Sequence, residues 1–268
     1  MDANAFSRTT PPSATPAVHS SVRGRLETPG ARLGLIIPSS NRLSEPQFNH
    51  YAPLDLAIHT MRLRMSGRWK RPFSKLIIDI ERASEVLADA KPDLIVFHCT
   101  GASMQEGPDG DMRVLDLIRT RTGIEAISTA GAIVAALNAL RIHRLVLISP
   151  YIQDTNDHEV AYLQALGFDV VHDIALGLKG SDEYIKVRPE RWTEIAISNA
   201  RPGVDGYFLS CTNTTQIESI ASIEASLCKP VVNSNQAVLW ASLKQLRPKL
   251  ARFAPLNGLG RLMINLNQ

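Results

Sequence analysis

Short apolar runs alternate with amphipathic stretches along the chain from residue 31 onward. Apolar runs bounded by turn residues are typical of buried parallel strands, and a helical apolar period between them predicts helices. We predict strands at 32–37, 94–98, 144–149, 206–210 and 230–233. We predict helices at 74–90, 111–122, 131–141, 154–166, 189–200, 216–227 and 236–246. Strands that alternate with helices of this length predict an α/β fold built from βαβ units.

This pattern repeats with a fixed offset. The run RLGLIIP starts at Arg32 and the run RLVLISP starts at Arg144, 112 positions later. Cys99 and Cys211 are also 112 positions apart. Two landmarks with one offset indicate an internal duplication. We therefore predict two pseudo-symmetric Rossmann-like or flavodoxin-like lobes with parallel sheets and an active-site cleft between them.

The repeat also sets the predicted boundaries. Lobe 1 spans 31–142, lobe 2 spans 143–246, and residues 247–268 form a tail that packs back on the lobes. Residues 1–30 are rich in Ser, Thr, Pro and Ala and have no hydrophobic period, so they cannot bury enough apolar surface to offset their ordering entropy. We predict that they form a disordered extension, and a transit peptide is the alternative.

Composition excludes several function classes. A net charge of +3 over 268 residues does not favour nucleic acid as a partner. The most basic stretch, 61–75, is interpreted as a solvated surface, with a positive field for an anionic substrate as the alternative. No apolar run approaches the roughly 18 residues of a membrane helix, so we expect no membrane contact.

The three cysteines are too few for a disulfide framework, which predicts reduced thiols in the cytoplasm. Metal-ligand spacings and phosphate-loop motifs do not occur in the sequence, so we expect neither a metal nor a cofactor.

The two cysteines in register are the candidate chemistry. Each ends a predicted strand just before a helix, in LIVFHCTGAS and in GYFLSCTNTT. Ligands of open α/β sheets bind beyond the carboxyl ends of the strands, so the two thiols should meet across one cleft. The helix N-termini should favour the thiolates. Two facing thiols suit acid–base or nucleophilic work at a carbon flanked by carboxylates. The third cysteine, Cys228, has no such context and is interpreted as structural.

The sequence resembles the aspartate/glutamate racemase superfamily, and within it most closely the maleate cis–trans isomerases. The motifs that carry the resemblance are LIIPSSNRLSEP, HCTGAS, LISPY, LSCTNTT and VVNSNQAVLWASL, in this order between residues 32 and 243. The resemblance implies an isomerase without a cofactor. Cys99 would add to an alkene carbon of maleate, the resulting single bond would rotate, and elimination would release fumarate. Cys211 would handle the proton on the other carbon.

The resemblance also implies the substrate-binding residues. Asn41 and Tyr151 match carboxylate-binding positions of the family, and Thr100, Gly101 and Thr212 would offer backbone or hydroxyl donors. The family has a second carboxylate-binding Asn in a loop after a Leu-Gly dipeptide. Here the corresponding loop, LGLKGSDEY, offers Ser181 or Asp182. Ser181 can donate a hydrogen bond, whereas Asp182 would repel a second carboxylate, which puts maleate itself in question.

Structural roles remain open for several of these residues. Asn41 could cap a helix that starts near Ser44, and Tyr151 could pack at an interface. We interpret Ser234 or Asn235 as the N-cap of the last predicted helix. His98 precedes Cys99 but projects to the opposite strand face by the period of two, so we interpret it as structural.

The competing functions use the same cleft. An amino-acid or hydantoin-type racemase would exchange a proton at one carbon between the two thiols. Arylmalonate decarboxylases resemble the chain less, because they keep only the cysteine at the position of Cys211. A small-acid binding protein without catalysis would not need both thiols. In every case the predicted partner is a small carboxylate or dicarboxylate, and we expect a homo-oligomer, either a dimer or a tetramer.

Overall fold

Two four-stranded parallel sheets form the framework, in a computed structural model that describes residues 28–65, 72–251, 256–264 and 266. The strands are β1 Ala31–Pro38, β2 Leu56–Leu63, β3 Leu94–Phe97, β4 Ala126–Ser128, β5 Arg144–Ser149, β6 Asp169–Ala175, β7 Gly206–Leu209 and β8 Val231–Asn233. The helices are α1 Ser44–Tyr51, α2 Phe73–Ala88, α3 Thr100–Met104, α4 Gly107–Thr122, α5 Thr129–Ala139, α6 Gln153–Ala165, α7 Ser181–Tyr184, α8 Pro189–Ser198, α9 Ile220–Leu227, α10 Ser234–Leu246 and α11 Gly260–Ile264.

The two sheets have the same topology. The first has the order β2-β1-β3-β4 and the second has the order β6-β5-β7-β8, with parallel pairing throughout. This is the flavodoxin-like order, in which the strand order reverses between the first and third strands. The predicted α/β fold with two parallel lobes is confirmed.

Three strands were missed by the sequence prediction. Strands β2 and β6 lie at sheet edges and mix polar with apolar residues, LAIHTMRL and DVVHDIA, so neither reads as a continuous apolar run. Strand β4 has only three residues. Edge position and short length remove the periodic signal on which the prediction depends.

The same backbone-to-aspartate contact occurs at the equivalent place in each lobe. The backbone N–H of Arg32, in β1, donates to the Asp93 carboxylate at 2.7 Å, just before β3. In the second sheet the backbone N–H of Arg144 donates to the Asp205 carboxylate at 2.8 Å. Each aspartate lies six positions before a cysteine. The contact therefore fixes the register of the cysteine-bearing strand in both lobes.

The lobes meet through helices in equivalent positions. Helix α5 follows β4, α10 follows β8, and the two helices pack on each other. Ser128 caps α5 by accepting the Gly131 N–H at 2.9 Å. Asn233 and Gln236 cap α10 through a reciprocal capping box. Most of α10 is buried, because its first turn is enclosed by both lobes.

The predicted chain divisions stay predictions. Helix α11 packs against α9, α10 and β8, and Lys249 forms an ion pair with Asp93 at 2.6 Å, so the described part of the tail contacts both lobes. Most of the predicted extension, residues 1–27, lies outside the described residues, as does 66–71 of the basic stretch. Among the described residues no helix is long and apolar enough to span a membrane.

Candidate active site

The carboxyl ends of β1, β3, β5 and β7 surround one cavity of about 190 Å³. The strand order of each sheet reverses between these strands, and open α/β sheets bind ligands at such a point. Pockets for drug-sized ligands have about 300–1,000 Å³, so this cavity suits a substrate of few atoms. The cavity is lined by Pro38, Ser40, Asn41, Met65, Cys99, Gly101, Ala102, Gln105, Tyr151, Thr155, His158, Ser181, Tyr184, Cys211, Thr212 and Asn213.

Cys99 lies between β3 and α3, as the N-cap residue of that helix. The backbone N–H of Ala102, in the first turn, donates to its thiol. The side chain is half-buried and lines the cavity. The structure therefore places Cys99 at a strand end before a helix, as the sequence indicated.

Cys211 occupies the equivalent position after β7, but its backbone differs. It has a φ of 109°, a region that residues with a Cβ rarely adopt. Its thiol accepts the Asn213 N–H at 3.3 Å and the Tyr151 hydroxyl proton. A loop and a short 3-10 turn follow, rather than an α-helix. Backbone strain of this kind persists where the surroundings over-determine the conformation, which is common at active sites.

The expectation that helix N-termini would favour the thiolates is wrong, because burial is the larger effect. Burial raises the pKa of Cys99 to about 11 and the pKa of Cys211 to about 12. The N–H and hydroxyl donors at each sulfur oppose this rise without cancelling it. Helix α3 has only five residues, so its dipole is small. Both thiols are therefore mostly protonated at neutral pH.

Ser234 connects the two cysteine loops. Its hydroxyl oxygen accepts the Cys211 N–H at 3.1 Å and the Thr100 hydroxyl at 3.0 Å. Thr100 is 1% exposed and is not part of the cavity wall. The hydroxyl of Thr100 therefore supports the Cys99 loop instead of reaching a substrate, which corrects the expected donor role of that side chain.

Asn41 makes the bonds at the start of a helix that the sequence allowed, and its role in carboxylate binding stays a prediction. Its Oδ1 accepts the N–H groups of Leu43 and Ser44 at 3.0 and 2.9 Å, at the start of α1. Its Nδ2 donates across the cleft to the Thr212 carbonyl at 3.2 Å and hydroxyl at 3.1 Å. Asn41 and Thr212 also line the cavity. The amide thus joins the lobes at the place where a carboxylate would bind.

The structure separates Ser181 from Asp182. Ser181 lines the cavity, and its hydroxyl donates to Ser40 Oγ at 3.0 Å across the cleft. Asp182 forms an ion pair with Arg42 at 2.7 Å, and its side chain is 87% exposed. Because the carboxylate is outside the cavity and paired, the expected repulsion of a second substrate carboxylate is absent.

His98 lies away from the cavity in a neutral network. It is fully buried, with Nδ1 3.1 Å from Thr129 Oγ1 and Nε2 3.0 Å from Asn235 Oδ1. Burial lowers the pKa of His98 to about 3, so the ring is uncharged at neutral pH. The predicted N-cap of α10, Ser234 or Asn235, is wrong by one or two residues, because Asn233 caps the helix and leaves Asn235 to bond His98.

Sequence reasoning missed three residues at this site. Asn213 lines the cavity, and its Nδ2 is buried without a hydrogen-bond partner among the described residues. Its Oδ1 accepts the Arg42 N–H at 2.8 Å, which fixes the orientation of the amide. Glu159 is fully buried beside the thiols, and Tyr184 packs edge-on against Tyr151. Asn213 is the 112-offset partner of Gly101, so the repeat itself could have identified it.

In the part of the chain that the structure describes, no cluster of three or more His, Cys, Asp or Glu side chains could hold a metal ion. The chemistry available to these residues is that of two thiols surrounded by neutral hydrogen-bond donors.

Two parallel α/β lobes that each bring one cysteine to a shared cleft define the class of two-thiol enzymes that act on small acids. The chain belongs to the arylmalonate decarboxylase family, whose sequence profile matches residues 33–262. This membership agrees with the resemblance found in the motifs.

Individual relatives cover nearly the whole fold. The maleate isomerase of Nocardia farcinica is 28% identical over 87% of this chain and 95% of its own. The arylmalonate decarboxylase of Bordetella bronchiseptica is 26% identical over 79% of this chain and 89% of its own. A cysteine-to-serine mutant of the Nocardia farcinica maleate cis–trans isomerase, solved with a covalently bound succinylcysteine intermediate, matches with a TM-score of 0.78 and 27% identity over 87% of this chain and 98% of its own.

The strained backbone at Cys211 gives a stability prediction. Cys211→Gly should be more stable than Cys211→Ala by about 1 kcal/mol, because glycine relieves the cost of a Cβ at positive φ. Chemical denaturation of the two variants measures the difference. At an ordinary site the alanine variant would be the more stable, and that order would contradict the strain.

The bridging role of Ser234 gives a second prediction. Ser234→Ala should lower the free energy of unfolding by about 1–3 kcal/mol, because two buried donors lose their acceptor, and it should reduce turnover more than tenfold. Ser242→Ala, also buried on α10, is the matched control because its hydroxyl has no hydrogen-bond partner among the described residues. Equal losses in both variants would show that Ser234 acts only through packing.

Proposed function

We propose that this protein is a cofactor-independent cis–trans isomerase of a small unsaturated dicarboxylate, with maleate as substrate and fumarate as product. The observation that carries the proposal is the pair of cysteines from equivalent strand ends facing one cavity of about 190 Å³. The succinylcysteine intermediate of the Nocardia farcinica relative supports the covalent route. A cytoplasmic location and a homo-oligomeric state stay predictions.

Cys99 acts as the nucleophile. It is the more exposed of the two thiols, and the pKa of Cys99, about 11, is the lower of the two. Cys99 first loses its thiol proton to solvent, and the small thiolate fraction that results forms a bond to one alkene carbon. The electron pair of the double bond moves to the other carbon, which takes the proton of the Cys211 thiol. The former double bond is now single and rotates. Cys211 then removes that proton, the carbon–sulfur bond breaks, and fumarate leaves.

Neutral donors bind the two carboxylates. Tyr151 and Asn41 line the cavity from opposite lobes, and the Ser181 hydroxyl donates to Ser40 across the cleft. Backbone N–H groups at Gly101 and Thr212 follow the cysteines and are placed as donors. The unpaired Nδ2 of Asn213 adds a buried donor that a substrate oxygen would satisfy.

The decarboxylase reading has one observation in its favour, the family profile that matches most of the chain. Cys99 favours the isomerase over it, because a decarboxylase of this family needs only the cysteine at position 211. A racemase remains chemically compatible with two facing thiols.

Incubation in D2O with maleate, amino acids and arylmalonates, followed by NMR, distinguishes the three functions. Fumarate from maleate without racemase-type exchange at carbon supports the proposal, whereas exchange in an amino acid or loss of carbon dioxide from a malonate would replace it.

Variants of the two cysteines test the division of labour. Cys99→Ala should form no adduct and lose activity, and Cys99→Ser should be nearly inactive because an unactivated hydroxyl is a much poorer nucleophile. Cys211→Ala should turn over slowly and accumulate an adduct at Cys99. Intact-protein mass spectrometry after exposure to maleate measures both. An adduct at Cys211 in the Cys99→Ala variant would reverse the roles, and full activity in both alanine variants would exclude the two thiols from the chemistry.

Asn213 offers a test of substrate binding. Asn213→Ala removes the amide donor and should raise KM about tenfold. Asn213→Asp keeps the oxygen that accepts the Arg42 N–H but replaces the donor with a negative charge, so its KM should rise further. Steady-state kinetics with maleate give both values. A KM for the aspartate variant equal to that of the unmodified protein would exclude Asn213 from carboxylate binding.

A further inference from the structure

Glu159 is a buried acid that the proposed chemistry does not use. It lies on α6, next to His158, which lines the cavity. The residue is fully buried, and neither carboxyl oxygen makes a hydrogen bond of normal geometry among the described residues. The hydroxyl of Ser210, which directly precedes Cys211, approaches the carboxyl closely enough to lower its pKa in part, yet it too lacks a well-formed bond.

The internal repeat shows what is unusual about this acid. Gln47 stands 112 positions before Glu159, in the equivalent place on α1. Its amide donates to the Thr214 carbonyl at 2.8 Å and accepts from Asn235, which also bonds His98. The first lobe therefore has a neutral, fully bonded amide where the second has an acid.

The partners of that amide are missing in the second lobe. His98 corresponds to Ser210 by the same offset. Asn235, two residues after the N-cap of α10, corresponds to Ala130, two residues after the N-cap of α5. Alanine has no polar side chain to bridge Glu159 and Ser210, which explains why both remain without partners.

The environment of Glu159 keeps it neutral at moderate pH. Burial raises its pKa to about 8, and Ser210 offsets only part of the rise. The titratable groups that face α6 or the carboxyl are Cys99, Cys211, Tyr151 and Tyr184 at the cavity, Asp111 from α4, His172 and Asp173 from β6, and Asp154, Asp157, His158 and Tyr162 on α6 itself. Burial and the Ser210 hydroxyl are the two causes of the shifted pKa of Glu159, and no charged partner is among them.

We propose that Glu159 is a positioning residue for the two thiols. When it is ionised at alkaline pH, its negative charge lowers the fraction of Cys99 and Cys211 that is present as thiolate. When neutral, it leaves the site open to a thiolate and an anionic substrate. When ionised, it places a buried negative charge beside both, which opposes the thiolate. The part that concerns catalysis rests on the proposed function, whereas the effect on thiol reactivity does not.

Alkylation of the thiols by iodoacetamide tests the proposal without turnover. The background is Cys228→Ser, because Cys228 is exposed and would otherwise react. In that background Glu159→Gln should match the parent at pH 6.5, where Glu159 is neutral. At pH 9.5 it should alkylate Cys99 and Cys211 about three- to tenfold faster, which corresponds to half to one unit of thiol pKa. Mass spectrometry assigns the modified cysteine.

Two further variants separate charge from structure. Asp111→Asn removes another buried acid that contacts α6 through Tyr162, and the pKa of Asp111 is raised by burial to about 6, but it does not act on the thiols. This variant should leave both rates unchanged. Glu159→Asp keeps the charge and should retain the slow alkylation at pH 9.5. Faster alkylation in the Asp111 variant, or no change in Glu159→Gln at pH 9.5, would overturn the proposal.

Slower alkylation in Glu159→Gln would also overturn it, because Glu159 would then be a base that ionises the thiols.

The pH dependence of stability provides a second test and shows whether the variant is folded. A carboxyl with a raised folded-state pKa holds a proton that the unfolded chain has lost, so stability should fall as pH rises from about 4.5 to about 8. Melting temperatures of Glu159→Gln should fall less, most clearly above about pH 6, where Asp111 no longer contributes. With maleate, the variant should also lose the alkaline decline of kcat/KM, and failure of this arm alone would count against the isomerase function.

Discussion

The first turn of α10 is the contact on which the rest of the cleft depends. Ser234 holds the backbone of Cys211 and the side chain of Thr100 in one pair of hydrogen bonds, so the two cysteine loops share a single support. Asn235, the next residue, bonds His98 from one lobe and the Thr212 carbonyl from the other. Because the capping box fixes this turn in the buried interior, neither loop can shift without breaking buried hydrogen bonds.

The sequence predicted the parts of this arrangement that follow from periodicity and repetition. The buried strands and the 112-residue offset were sufficient for the two lobes and for the meeting of the cysteines, because a parallel sheet brings its carboxyl ends to one edge. The sequence prediction missed the edge strands β2 and β6 because they mix polar with apolar residues. The N-cap of α10 was misplaced because Asn233, Ser234 and Asn235 are all good capping residues, and only tertiary contacts decide among them.

The thiol pKa values were beyond the reach of the sequence for a different reason. The position of Cys99 before a helix is a local feature, and local features favour the thiolate. Burial depends on how the second lobe closes over the first, and here it outweighs the local donors. The role of Asp182 was also undecidable, because its distance from the cavity is set by Arg42, which is 140 positions earlier in the chain.

The pseudo-symmetry of the scaffold makes its departures from symmetry informative. Duplicated lobes supply two equivalent thiols, yet the reaction needs one to attack and the other to carry a proton. The differences lie in the surroundings: Cys99 has a helix behind it, whereas Cys211 has a strained backbone and a bond from Tyr151. The same asymmetry separates Gln47 from Glu159. Among the described residues that line the cavity, the side chains of Tyr151, Asn41 and Ser181 are the donors that we propose for the substrate carboxylates. Substrate carboxylates and a thiolate would gather negative charge in one buried site, and an ionised acid beside them opposes that charge.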